Sequence, residues 1–222
     1  MEEGLRILVI HQAYLGKKDA GGSRYNRFAR LWADRGHQIT VLTQAVHHLT
    51  GEVWPEYRRR WVVREDDGPG VAVLRCFVTG GYNKSLLGRL CGYLAYMVSS
   101  AWAGLFSGPQ DIVIASSPPL TVALTGYFLA VMKRCPMIFE VRDLWPDSAV
   151  DNGALTNRFL IWIATKMEAF AYSRARLIAV VTPGIKEKLL AKGVPEEKIF
   201  VVPNGADLEY FTPGGGDNGV RE

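Results

Sequence analysis

The sequence has little of several features that mark common protein classes. Its three cysteines are odd in number, widely spaced and without metal-ligand spacing, so we expect reduced thiols and neither a disulfide framework nor a bound metal. The longest uncharged run with helical spacing, residues 90–106, has 17 residues, fewer than the ~20 that span a bilayer. The first residues, MEEG, are acidic where an export signal would be basic. These absences predict a cytoplasmic protein.

Two glycine motifs are also missing. No G-x-G-x-x-G fingerprint follows the first strand, which argues against a dinucleotide-dependent oxidoreductase, and no Gly-Lys-Ser/Thr marks a phosphate-binding loop of the Walker type. The net charge is +4, with 48% hydrophobic and 22% charged residues. This mild basicity is too small to indicate nucleic acid, and it suits an anionic substrate or a membrane surface.

Short apolar runs alternate with helical patterns about seven times in this chain. This alternation predicts an α/β fold with one doubly wound, parallel, Rossmann-like sheet. Residues 44–70 interrupt the alternation and are interpreted as an excursion beyond the sheet edge.

Residues 86–106 predict a core helix with leucines on its buried side. Its other side is small and weakly polar (Gly92, Ser99, Ser100, Ala103). Together with Lys84 and the run Arg58-Arg59-Arg60, that side would suit peripheral contact with an anionic membrane.

The segment IFEVRDLWPDS, residues 138–148, begins as a buried strand and then becomes polar. Ligands of open α/β sheets bind beyond the carboxyl ends of the strands, so Arg142, Asp143 and Trp145 are site candidates. The alternative, that an Arg–Asp pair caps the strand while the tryptophan fills the core, has equal weight on this segment alone.

A second candidate site lies between the first strand and the first helix. Gly21 and Gly22 allow close backbone approach, Ser23 can cap the helix, and Arg24 lies in its first turn. A helix N-terminus with a basic residue is typical of a phosphate cradle. A tight turn beside a solvated basic face is the alternative.

Three further polar residues are expected at the same sheet edge. His11 directly follows the first strand, where an imidazole can contact substrate but more often satisfies loop hydrogen bonds. Asn204 and Asp207 follow the last strand, where Asn-Gly also indicates a simple turn.

Taken in order, four segments resemble the N-terminal domain of family-4 retaining glycosyltransferases. They are LRILVIHQ…GGSRYNRFARLWADRGHQITVLT, DIVIASSPP, FEVRDLWPDS and IAVVTPGIKEKLLAKGVPEEKIFVVPNGADLEYF, and they extend over most of the sequence. The motif RDLWPDS is similar to that of bacterial enzymes that add amino sugars in O-antigen and capsule assembly.

The resemblance implies one half of a GT-B architecture. Residues 1–207 would form the acceptor-side domain and residues 208–222 the start of a linker, while the donor-binding domain with its Glu-x7-Glu signature is absent. The implied substrates are a nucleotide-sugar donor and a polyprenyl-diphosphate-linked glycan acceptor at the cytoplasmic face of the membrane, without cofactor or metal. Two explanations of the missing half stay open: the sequence is truncated, or the enzyme is split and a separate donor-domain chain is the partner.

The resemblance also implies roles for single residues. Arg142 and Asp143 match the strand-end pair that lines the catalytic cleft, Gly21 and Gly22 match the glycine loop near phosphate, and residues 204–207 match the loop that leads to the linker. Many relatives have histidine in place of Arg142, so a role of that histidine is not carried over.

Two functions therefore stay open. The first is a glycosyltransferase half that is inactive without a donor domain. The second is a non-catalytic, membrane-associated binding or scaffolding subunit.

Overall fold

The computed structural model describes residues 4–15, 24–46, 52–79 and 86–205, and within these ranges eight strands form one sheet. The strands are β1 (Arg6–His11), β2 (Gln38–Gln44), β3 (Val62–Asp66), β4 (Val71–Cys76), β5 (Ile112–Ser117), β6 (Met137–Val141), β7 (Leu177–Val180) and β8 (Ile199–Val201). Their order is β3-β4-β2-β1-β5-β6-β7-β8, and only the β3–β4 pair is antiparallel. The predicted Rossmann-like parallel sheet is confirmed.

The chain direction across the sheet reverses between β1 and β5. From β1 it proceeds to β2 and β4 on one side, and from β4 it crosses back to β5 and continues to β8. Such a reversal opens a crevice at the carboxyl ends of the two central strands. His11 and Ser116 are paired in register at that end.

The helices divide between the two faces of the sheet. They are α1 (Arg24–Asp34), α2 (Leu86–Leu105), α3 (Thr121–Lys133), the short α4 (Asp147–Asp151), α5 (Arg158–Arg174) and α6 (Pro183–Ala191). Helix α1 packs with β1, β2 and β4 around Val9, Val41 and Val73. The larger core on the opposite face joins α2, α3, α5 and α6 to the sheet.

The sequence interpretation missed strand β3. Residues 44–70 were expected to lie beyond the sheet edge, yet Val62–Asp66 pairs antiparallel with β4. The two strands are joined by a turn in which Gly68 and Gly70 adopt positive φ angles of 111° and 75°. A hairpin partner of this kind covers the edge of β4 without a helical crossover.

The structure corrects the predicted orientation of α2. Leu87 and Leu94, expected in the core, are 71% and 53% exposed, and the small residues expected on the outside are buried. The buried hydroxyl of Ser99 donates a hydrogen bond to the carbonyl of Phe77 at 2.8 Å. The small side packs inward because it permits close approach: a Cβ atom at Gly104 would lie 2.4 Å from Leu129 Cδ1.

Helix α5 shows a similar difference. The large apolar residue Phe159 is 66% exposed, whereas Ala164, Glu168, Ala171 and Tyr172 are buried. The buried carboxylate of Glu168 is stabilised because Tyr172 and Lys192 both donate hydrogen bonds to it, at 2.9 and 2.6 Å.

Close packing of α3 on β5 makes Gly126 sensitive to substitution. A Cβ atom at this position would lie 2.7 Å from Ala115 Cβ and 3.1 Å from Met137 Sδ. We expect Gly126→Ala to lower the free energy of unfolding by about 1–3 kcal/mol, because overpacking outweighs the gain in helix propensity. The measurement is urea unfolding. Gly184→Ala in α6, where nothing lies within 4 Å, is the control and should not destabilise the protein.

Candidate functional site

The carboxyl ends of β1, β5 and β6 bring three polar side chains together beside the chain reversal. His11, Ser116 and Glu140 are each at most 2% exposed. Buried polar groups require hydrogen-bond partners, because a buried polar group without one destabilises the folded protein. We call these residues, together with Arg24 and Tyr25 of α1, the Glu140 network.

Glu140 is the centre of this network. Its Oε2 accepts a hydrogen bond from the Ser116 hydroxyl at 2.6 Å, and its Oε1 forms an ion pair with Arg24 Nε at 3.2 Å. The Tyr25 hydroxyl also hydrogen-bonds with the network, and burial followed by the negative charge of Glu140 raises the pKa of Tyr25. The carboxylate is therefore paired on both oxygens.

Ser116 determines which nitrogen of His11 carries the proton. Its oxygen lies 3.2 Å from His11 Nδ1, and its single hydroxyl hydrogen is donated to Glu140. Nδ1 must then donate to Ser116, which leaves a lone pair on Nε2. That nitrogen lies 3.4 Å from Arg142 Nη1, a group that can only donate.

The imidazole of His11 is neutral. Burial lowers its pKa to about 3, with smaller contributions from the positive charges of Arg142 and Arg24. Its ring also packs against Tyr25, with 4.7 Å between the ring centroids. At neutral pH, His11 therefore presents an acceptor nitrogen toward Arg142.

Arg24 connects α1 with the opposite edge of the sheet. Its Nη1 donates to Asn204 Oδ1 at 2.8 Å and its Nη2 to the Val202 carbonyl at 2.9 Å. The guanidinium also lies over the Phe28 ring, 4.8 Å from its centroid. Arg24 was expected to bind phosphate, whereas in the structure its donors are engaged by protein groups.

Arg142 and Asp143 follow β6 and are exposed at the same end of the sheet. Asp143 Oδ2 accepts a hydrogen bond from the Ser148 hydroxyl at 2.9 Å, and the Asp143 carbonyl accepts one from the Trp145 amide. These contacts turn the chain sharply into α4. An exposed guanidinium can bind anionic oxygens, and the neighbouring carboxylate can accept hydrogen bonds from sugar hydroxyls.

Trp145 is half-buried and packs against the larger hydrophobic core. This contact agrees with the alternative in which the tryptophan fills the core. Close by in sequence, Asp147 is held by Lys192 at 2.8 Å, and the same ammonium group binds Glu168. Through Lys192, ion pairs therefore link the segment after β6 to α5 and to the end of α6.

The structure brings some of the predicted site residues together. Arg24 and Asn204 are in direct contact although they are 180 positions apart, and Arg142 contacts His11. Gly21, Gly22, Ser23 and Asp207 lie outside the described residues, as does the predicted domain boundary at residue 207. The predicted functional roles of all these residues stay predictions.

Sequence reasoning missed Glu140, Ser116 and Tyr25. One signal was available, because Glu140 is a carboxylate inside an otherwise apolar strand, MIFEV. A charged residue in such a strand needs a partner. His11 was interpreted as a loop residue, but its partner is Ser116 on the adjacent strand rather than a loop group.

The described part of the chain holds no group of three His, Cys, Asp or Glu side chains arranged to bind a metal ion. The positive charges that act on His11 come from Arg142 and Arg24. Arg24 is paired with Glu140, whereas Arg142 is exposed, so Arg142 is the guanidinium that makes this end of the sheet suitable for an anionic ligand.

Comparison with known sequences gives the family. Residues 20–205 match the glycosyl transferase 4-like domain. The chain is also similar to the putative colanic acid biosynthesis glycosyl transferase WcaI of Escherichia coli (strain K12). The two are 21% identical over 212 residues, which cover 93% of this chain and 52% of that protein.

Comparison with solved structures gives the fold. The chain is similar to Anabaena HepE in complex with UDP and glucose, with a TM-score of 0.51 and 15% identity over 92% of this chain and 46% of that one. It is similarly close to a putative UDP-N-acetylglucosamine 2-epimerase from Listeria monocytogenes, with a TM-score of 0.50 and 13% identity over 89% and 44% of the two chains. The present chain spans about half the length of these relatives.

The family match includes four of the five residues of the Glu140 network, all but His11, as well as Arg142, Asp143 and Asn204. The order of the strands and the position of the crevice agree with the Rossmann-like fold that the resemblance implied. The chain belongs to the glycosyl transferase 4-like family and has the fold of the N-terminal half of GT-B glycosyltransferases.

Proposed function

We propose that this chain is the acceptor-side half of a glycosyltransferase that moves a sugar from a nucleotide-sugar to a lipid-linked glycan. The observation that carries the proposal is the family match over residues 20–205, which spans the crevice at the carboxyl ends of β5 and β6. The HepE complex with UDP and glucose supports a nucleotide-sugar as donor. The similarity to a colanic acid enzyme supports synthesis of a cell-surface polysaccharide.

In this proposal, Arg142 and Asp143 contact the acceptor. The exposed guanidinium of Arg142 binds the diphosphate of a polyprenyl-linked glycan, and the carboxylate of Asp143 accepts hydrogen bonds from its sugar hydroxyls. The lone pair on His11 Nε2 holds the Arg142 side chain at the crevice. No metal or cofactor is required, because guanidinium groups supply the positive charge.

The donor diphosphate would be bound by a second domain of the same enzyme, either on a longer chain or on a separate one. Stabilisation of the leaving diphosphate is electrostatic work that needs donors on both sides of the cleft. We therefore expect the present chain alone to bind acceptor without transferring sugar.

The test uses this chain alone and mixed with a C-terminal domain from a related enzyme. Sugar transfer from a panel of nucleotide-sugars to a short polyprenyl-diphosphate-sugar is followed by mass spectrometry, and acceptor binding by calorimetry. We expect binding by the chain alone and transfer only in the mixture. Transfer by the chain alone would overturn the placement of the donor site.

Variants at the crevice make the test specific. Arg142→Ala and Asp143→Ala should each weaken acceptor binding by about ten- to a hundredfold, because each removes a charge-assisted hydrogen bond. Arg176→Ala and Asp151→Ala, which remove exposed charges of the same types elsewhere, are the matched controls. Acceptor binding without transfer in any mixture would favour the non-catalytic binding subunit. Equal effects of site and control variants would contradict the assigned contacts.

A further inference from the structure

Helix α2 exposes apolar side chains on the side that faces away from the core. Its inner side, which includes Tyr96 and Ala103, is buried in the core. Its outer side shows exposed residues at helical spacing: Leu87, Leu94, Val98 and Trp102, with exposed Cys91 between the first two, and Phe106 continues the row just beyond the helix. The exposed fractions of the leucine, valine, tryptophan and phenylalanine residues in this row run from 53% to 71%. A surface helix of a globular protein ordinarily has polar residues in these positions.

The apolar surface extends over two neighbouring helices. Helix α3 packs against both α2 and α5, so that the three helices form one layer on the same face of the sheet. Phe128, Val131 and Met132 of α3 are 41–55% exposed, and Phe159 and Trp162 of α5 are 66% and 57% exposed. We call the exposed sides of α2, α3 and α5 the outer helix surface. An apolar surface of this extent indicates a binding face.

The charge of these helices has one sign. Residues 68–110 and 112–139 contain no Asp or Glu, so α2 and α3 have no carboxylate. The single acid of α5 is Glu168, which is buried and bound by Lys192. The exposed charges are basic, including Arg89, Arg134, Arg158 and Lys166. The outer helix surface therefore combines apolar and aromatic groups with positive charge.

We propose that the outer helix surface docks on an anionic lipid bilayer, with α2 lying parallel to the membrane plane. Exposed Trp and Phe side chains suit the boundary between headgroups and acyl chains, and Arg and Lys suit anionic headgroups. Among the residues that the structure describes, none of the helices has the length and hydropathy of a membrane span.

Two other occupants fit less well. The second domain of a GT-B enzyme faces the carboxyl ends of the strands, where Arg142 lies, whereas the outer helix surface faces away from the sheet. A second copy of this chain would place two basic surfaces against each other, and like charges oppose such pairing. The proposed bilayer face also differs from the small-residue side of α2 that sequence analysis suggested, because that side is buried.

Binding to vesicles tests the proposal without sugar transfer, so its failure is distinguishable from failure of the proposed function. The full chain is mixed with vesicles of phosphatidylethanolamine and phosphatidylglycerol, or of phosphatidylcholine alone, and separated by flotation. We expect binding to the anionic vesicles that weakens as salt increases. The absence of binding, or equal binding to both vesicle types, would overturn the proposal.

Surface variants locate the contact. Leu94→Ser combined with Trp102→Ser and Phe106→Ser should reduce vesicle binding by about tenfold or more, since the three side chains would leave the lipid. Leu31→Ser on α1, which removes a 37% exposed leucine from the opposite face of the sheet, is the matched control. Unchanged binding by the triple variant would contradict the proposal, as would loss of self-association without any change in vesicle binding.

Cys91 offers an independent readout because it is exposed between Leu87 and Leu94 on α2. In a Cys135→Ser background, an environment-sensitive fluorophore on Cys91 should shift to shorter wavelength on anionic vesicles. The same fluorophore at Asp34→Cys on α1, with Cys91→Ser, should not shift. A shift at both positions, or at neither, would overturn the assignment of this face.

Discussion

Replacing Glu140 by alanine is expected to lower the free energy of unfolding by about 3–5 kcal/mol. The carboxylate is 2% exposed and pairs with Arg24, Ser116 and Tyr25. Without it, a guanidinium whose side chain is 11% exposed loses its counter-charge, and two hydroxyl groups lose their acceptor. Urea unfolding followed by circular dichroism measures the change.

Two further variants distinguish the effect of removing a buried carboxylate from the effect of removing any carboxylate. Glu196→Ala removes a carboxylate that pairs with Lys186 at 2.8 Å but is 70% exposed, and it should change stability little. Arg24→Met combined with Glu140→Ala should recover part of the loss, because no uncompensated charge is then buried. If Glu140→Ala were no more harmful than Glu196→Ala, the central role of the carboxylate would be wrong.

The second large effect is a loss of stability in mild acid, caused by His11. Its pKa in the folded protein is about 3, below the usual value of 6.5. Between these values the unfolded chain binds a proton that the folded protein does not. The free energy of unfolding should therefore fall as pH decreases from 6.5 toward 3, by up to about 1.4 kcal/mol per pH unit. Above pH 6.5 this contribution is constant.

Denaturant unfolding at a series of pH values checks this slope, with His11→Gln as the comparison that should flatten it. Nitrogen-15 NMR gives a direct readout. The folded protein should show neutral His11 with the proton on Nδ1 at pH 5, and Ser116→Ala should remove the preference for that nitrogen. A His11 imidazole that titrates near pH 6.5 in the folded chain would contradict the buried geometry.

Much of the fold followed from local pattern. The alternation of apolar runs and helical patterns predicted the doubly wound parallel sheet, because strand and helix periods differ in the sequence itself. Glycines also follow two of the helices, as is typical of helix ends: Gly36 after α1 and Gly193 after α6 have φ angles of 88° and 82°. The strand-end position of Arg142 and Asp143 followed from the abrupt change from apolar to polar residues.

Other features of the fold depended on which helices and strands pack against each other in three dimensions. Helix α2 has apolar side chains on its exposed side as well as in the core, so hydrophobic spacing alone could not decide which side is buried; the close approach to α3 at Gly104 decided it. Strand β3 is short and its pairing with β4 depends on the turn between them. The partners of Glu140 come from α1 and β5, which lie far from it in sequence.

The sequence by itself determined the α/β alternation, the strand-end Arg–Asp pair and the absence of acids from α2 and α3, because these are properties of consecutive residues. Only the tertiary structure decided that Glu140 holds Arg24, that Ser116 sets the proton on His11, and that the basic, apolar side of the helix layer faces outward. These features depend on packing between distant segments, since burial and hydrogen-bond partners exist only once the sheet has assembled.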